Sequence, residues 1–138
     1  MKATAEKITN VYGLLAQVKY SKLDSKDKIN LIKISNKFKD IADKLNGLRQ
    51  ENYKILTQDI PEFTAIGMKV QAGQSLTPSE SMIFQKIDKE LGESLKEERE
   101  REYEFDFEPW KDSVMEKLLD SNDFNVAQTL AIYEIIGK

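Results

Sequence analysis

The apolar residues Leu31, Ile34, Phe38, Ile41, Leu45, Leu48 and Ile55 recur in steps of three and four, with Asn52 the one polar residue on the stripe. Apolar positions every 3.5 residues draw a narrow seam along a helix, and such a seam must be buried against another helix. Ile29, Ile32, Ala42 and Leu56 widen it, so the helix is expected to touch two neighbours, as in a bundle. Asp24 or Ser25 can cap its start, Leu23 can staple the entry, and Ile60-Pro61 ends it. The predicted span is about 25–58, or about 45 Å at 1.5 Å per residue. Asn52 either sits near the helix end, where the seam thins, or needs a polar partner that fixes register; the first is the expectation.

The same periodicity predicts a first helix over residues 4–20, with Ile8, Val11, Tyr12, Leu15 and Val18 on its apolar face. Thr77-Pro78-Ser79-Glu80 carries the signature of a helix start: a hydroxyl cap, proline at the first position and glutamate three residues after the threonine. Ile83, Ile87, Leu91 and Leu95, with Phe84 beside them, line that helix before the charged run 96–102. Pro109 opens another helix to about Asp120 with Trp110, Val114, Leu118 and Leu119 inward. Asn125 and Gln128 cap a last one carrying Val126, Leu130, Tyr133 and Ile136.

Two stretches alternate instead. Tyr103, Phe105 and Phe107 interleave with Glu104, Asp106 and Glu108, a period of two that predicts a half-buried strand over 103–107. A lone strand needs a partner. Ile66, Met68, Val70 and Ala72 also alternate, which marks 64–71 as the candidate. Phe63, Ile66, Gly67 and Val70 fit a helical turn set as well, but Gly67 and Gly73 favour a strand or extended loop. The expected fold class is therefore mainly α: a single domain over 1–138, a helical bundle built on one long helix, with a minor two-stranded β element at about 64–71 and 103–107.

Composition narrows the chemistry more than the architecture. The 138 residues are 40% apolar and 33% charged, a globular balance. Cysteine and histidine are absent, which excludes disulfides, thiol and imidazole catalysis, and zinc sites built on those ligands. There is no secretory signal pattern at Met1–Lys7 and no stretch near the roughly 20 apolar residues of a membrane span, so the chain reads as soluble and cytoplasmic. The net charge of −3 conceals an asymmetry: residues 1–60 hold 12 Lys or Arg against 7 Asp or Glu, and residues 61–138 hold 9 against 17. A basic helix packed beside an acidic segment accounts for this, and a dipolar surface that steers a partner is the alternative.

No glycine-rich phosphate loop occurs. The lysines Lys19, Lys22, Lys26, Lys28, Lys33, Lys37, Lys39 and Lys44 are interleaved with Asp24, Asp27, Asp40 and Asp43, and arginine occurs only three times. That pattern reads as a solvated helix face rather than a nucleic-acid surface. The acidic run from Glu93 to Asp112 could hold a divalent cation or work as acid and base, but it has no calcium-loop spacing and reads as solvated. Glu104, Asp106, Glu108 and Trp110 are the candidate partner-binding residues, the carboxylates as an acidic edge and the tryptophan as an anchor. No catalytic residue, metal or cofactor is expected.

The order of elements resembles small proteins encoded in bacteriophage and prophage genomes, known only as families of unknown function. The likeness lies in Tyr12-Gly13-Leu14-Leu15 on a first helix, the long lysine-rich helix, the capped Thr77–Glu80 start, the acidic-aromatic Glu102–Glu108 and the terminal Ile135-Ile136. It implies an accessory, assembly or tail-region role and carries over no site residues. The expectation is a non-enzymatic protein that works through protein–protein contact or self-association. One alternative is an acidic decoy that captures a basic or nucleic-acid-binding host protein; another is a carboxylate–metal enzyme.

Overall fold

A computed structural model describes residues 1–137. The elements are β1 (Lys2–Thr4), α1 (Ala5–Leu15), α2 (Ser25–Thr57), α3 (Phe63–Gln71), α4 (Pro78–Glu100), β2 (Glu102–Glu104), α5 (Asp112–Asp120) and α6 (Val126–Ile136). The fold is mainly α, built on one long helix, with a two-stranded antiparallel sheet. The chain divides into two compact units, one of residues 1–45 together with the described residues from 99 on, the other of residues 46–98. Helices α2 and α4 each contribute to both.

In the first unit, α1 starts at Thr4, whose side chain accepts the Lys7 N–H, and it stops at Leu15 rather than at residue 20. The early stop has a visible cause. The side chain of Asn122 accepts the Lys19 N–H at 2.7 Å and donates to the Lys19 carbonyl at 2.8 Å, holding 16–24 in a loop. Asp24 caps α2 by accepting the Asp27 N–H at 3.0 Å, and Leu23 before it is buried as a staple. Leu31, Ile34 and Phe38 then meet Ile8, Val11 and Leu15 of α1 and Ile132, Ile135 and Ile136 of α6 in one core. The seam is narrower than its widening predicts: Ala42 is buried, but Ile29 and Ile32 are about half exposed, at 53% and 51%.

β2 forms at the start of the aromatic-acidic alternation, over Glu102–Glu104 rather than 103–107, and its partner is not 64–71. It pairs with β1 in the register Lys2↔Glu104, Ala3↔Tyr103, Thr4↔Glu102. The ladder is extended at both ends by Phe105 N–H to the Met1 carbonyl and Ala5 N–H to the Arg101 carbonyl, each 2.8 Å. Tyr103, Phe105 and Phe107 are half-buried while Glu104, Asp106 and Glu108 are exposed, as the period of two requires. Phe105 and Phe107 both meet Phe38 edge to face, at 5.2 and 6.2 Å.

In the second unit, the segment expected as a strand is α3. Phe63 and Ile66 are buried, while Met68 and Val70, which a strand would have faced inward with Ile66, are exposed. Gly73, with φ +70°, ends the helix: its N–H bonds the Val70 carbonyl and Gln74 N–H bonds the Lys69 carbonyl. That pair of bonds is a Schellman motif, in which only glycine adopts the left-handed position without strain. Asn52 is not merely near a helix end. Its amide donates to Ser94 Oγ at 3.1 Å, and Ser94 donates onward to the Leu91 carbonyl at 2.8 Å.

Candidate binding surfaces

The acidic-aromatic edge places its residues in two different situations. Glu104, Asp106 and Glu108 all reach solvent. Trp110 does not: it is 6% exposed and packed in the first unit's core, and its N–H donates to the Ile136 carbonyl at 2.7 Å. The tryptophan ring therefore packs inward instead of standing beside the carboxylates. Basic residues from the N-terminal part meet this acidic stretch. Lys2 pairs with Glu102 at 3.1 Å, and Lys37 donates to the Asp106 carbonyl at 3.3 Å and lies 5.8 Å from the centre of the Phe107 ring. The hydrogen bond to Glu102 raises the Lys2 ammonium above its ordinary value.

Beside that edge lies an open groove of about 730 Å³, in which Asp24, Asp27, Lys33 and Lys37 face Glu108 and Trp110. The capping bond from the Asp27 N–H holds the Asp24 carboxyl below its ordinary range, while partial burial, and then Asp24 itself, raise Asp27. Both shifts are those of a helix cap with a carboxyl close behind it. Among the described residues no group of three or more His, Cys, Asp or Glu side chains could hold a metal ion, and no helix is long and apolar enough to cross a membrane.

The last helix presents a surface that its sequence does not announce. Asn125 caps it through a reciprocal box with Gln128, at 2.8 and 3.0 Å, as the sequence predicts. The buried face, however, is Ile132, Ile135 and Ile136, while Val126 is 77% and Leu130 62% exposed, with Tyr133 beside them at 36%. Of the four apolar residues that mark this helix in the sequence, only Ile136 is buried. The helix is apolar on both sides, so composition alone could not choose which side the core would take. Its one charged residue, Glu134, pairs with Lys7 at 2.6 Å.

The second unit holds a smaller open cavity of about 200 Å³, to which α2 contributes Tyr53, α3 Phe63 and Gly67, and α4 Phe84 and Asp88. Phe63 is the central ring, 5.6 Å from Tyr53 at 70° and 6.3 Å from Phe84 at 8°. Phe63 and Gly67 belong to the helical turn set that the sequence also offers, but a strand over 64–71 would separate them, and no sequence signal pairs that face with Tyr53 and Phe84. Spacing of 63, 67, 70 and 71 on α3 and of 84, 87, 88 and 91 on α4 brings the two linings together.

No protein-family model, no curated protein and no solved structure matches this chain.

Proposed function

We propose that this protein works without catalysis, through protein–protein contact, and that the outward ridge of α6 is the contact face. The observation that carries this reading is the exposure of Val126 and Leu130, at 77% and 62%, on a helix held rigidly by the core on its other side. Isolated exposed apolar residues are ordinary, but Val126, Leu130 and Tyr133 stand at i, i+4 and i+7 and form one stripe. A capped, core-anchored helix loses little conformational freedom on binding. The occupant that fits is a second copy of the chain. The ridge's own side chains are uncharged, Glu134 has its counter-charge in Lys7, and the Asp112 carboxylate beside the ridge accepts the Tyr133 hydroxyl at 3.1 Å, so an apolar contact centred on Val126 and Leu130 across a twofold axis fits this face better than a charged partner does. The setting that the resemblance in element order supports is a phage or prophage accessory or assembly role, which the presence of capsid or tail genes beside its own gene would test.

Sedimentation equilibrium over a wide concentration range tests the contact. The wild-type mass should rise towards that of a dimer, while Leu130→Glu should stay monomeric with an unchanged melting temperature, since residue 130 is outside the core. A wild type that stays monomeric at the highest concentration, or a Leu130→Glu variant that associates equally well, overturns the reading.

A further inference from the structure

We propose that the aromatic cavity of the second unit binds a small organic cation, an ammonium group carried on an apolar body, with the charged head beside Asp88. Phe63 stacks on Phe84 and takes the edge of Tyr53, so the three rings together form one aromatic side of the cavity. Ring faces are electron-rich and attract a cation, most strongly where water is thinned out. Asp88 stands on the same lining, and its carboxylate has no hydrogen-bond or ion-pair partner among the described residues. The surrounding field has the same sign: residues 46–98 carry 6 Lys or Arg against 9 Asp or Glu.

These features select the charge of the ligand. A neutral apolar guest would crowd an unpaired carboxylate and strip water from it without offering a counter-charge. An organic anion would meet repulsion from Asp88 and from the ring faces. Size follows from volume. A dry cavity of about 150 Å³ admits benzene, so about 200 Å³ suits one ring or a short branched chain bearing an ammonium group. Gly67 lines this space, and a Cβ built there would meet nothing within 4 Å, so a side chain can start from this position into the cavity.

The test is titration of the whole protein with benzyltrimethylammonium, read by calorimetry and by amide shifts, beside benzyl alcohol as the neutral control and benzoate as the anionic one. The cation should bind saturably, shift amides within 63–71 and 84–91, and bind about tenfold or more tighter than the alcohol, with no benzoate binding. Asp88→Asn, at an exposed helical position, should weaken the cation by about tenfold and leave the alcohol unaffected. Gly67→Leu should abolish both while the melting temperature holds or rises, because leucine favours helix over glycine. Equal binding of cation and alcohol, no saturable binding of the cation, or a cation affinity unchanged in Asp88→Asn would each overturn the proposal. None of these outcomes depends on the α6 ridge, which belongs to the other unit.

Discussion

Four hydrogen bonds tie Thr77, Glu80 and Lys69 together at the start of α4. The Thr77 hydroxyl accepts the Glu80 N–H at 3.2 Å, and Glu80 returns a bond to the Thr77 N–H at 3.0 Å. Glu80 also takes both contacts of Lys69, at 2.9 and 2.8 Å, so the box that starts α4 is tied to the end of α3. Thr77→Ala should cost about 0.5–2 kcal/mol in denaturant unfolding, and Thr77→Ser close to nothing; equal losses from the two would count against the cap. The Lys69 hydrogen bond, followed by the Thr77 N–H, lowers the Glu80 carboxyl from its ordinary 4.5. A depressed folded-state pKa stabilises above the unfolded value and loses that stabilisation as pH falls through the folded one. Stability should thus decline below about pH 4.5 partly through Glu80, and Glu80→Gln should shallow that acid limb in unfolding curves taken across it.

Among the elements, α2 carries the longest apolar stripe and α3 shows how two periods can compete. Phe38 is buried at 0% exposure and receives the edges of Phe105 and Phe107. Phe38→Ala would remove two aromatic contacts and leave a cavity, an expected loss of about 3–5 kcal/mol; a measured loss below about 1 kcal/mol would mean that the seam is not packed. For α3, the alternation of Ile66, Met68, Val70 and Ala72 was genuine but decided nothing, since nine residues satisfy either period on a few apolar positions. Gly73 was the discriminating residue. Its place two residues after the helix end, just past the Ala72 cap, makes it a C-terminal stop rather than a sign of extended chain.

Over the whole molecule, the charge asymmetry between chain halves disappears inside the first unit. With residues 46–98 at 6 Lys or Arg against 9 Asp or Glu, the remainder of the chain holds 15 of each. The basic N-terminal part and the acidic C-terminal part neutralise one another there, with Lys2–Glu102, Lys7–Glu134 and Glu6–Arg99 pairs spanning the chain. Such exposed pairs contribute little individually, but they account for the composition without a dipolar surface. The Glu104, Asp106 and Glu108 side chains lie outside these pairs and point to solvent. Replacing them with Gln, Asn and Gln should leave the unfolding free energy within about 0.5 kcal/mol of wild type by chemical unfolding. Stability retained together with loss of capture of a basic protein at low salt would instead assign binding to this edge.

What the sequence determined by itself was whatever is complete within a few residues of chain. The boundaries of α2, the boxes at Thr77 and Asn125, and the inward aromatics of 103–107 all rest on neighbours three or four positions apart at most, and the structure reproduces them. Tertiary packing decided every choice between equals. β2 could have paired with any extended segment and took Lys2–Thr4, and α6 could have buried either apolar face and buried Ile132, Ile135 and Ile136. Asn52 found Ser94 forty-two residues away, and Tyr53, Phe63 and Phe84 came to share one cavity. Caps and periods are set by bonds that the local backbone must satisfy wherever the segment lies. Partners are set by which surfaces exclude water together, and that is known only once distant parts of the chain have met.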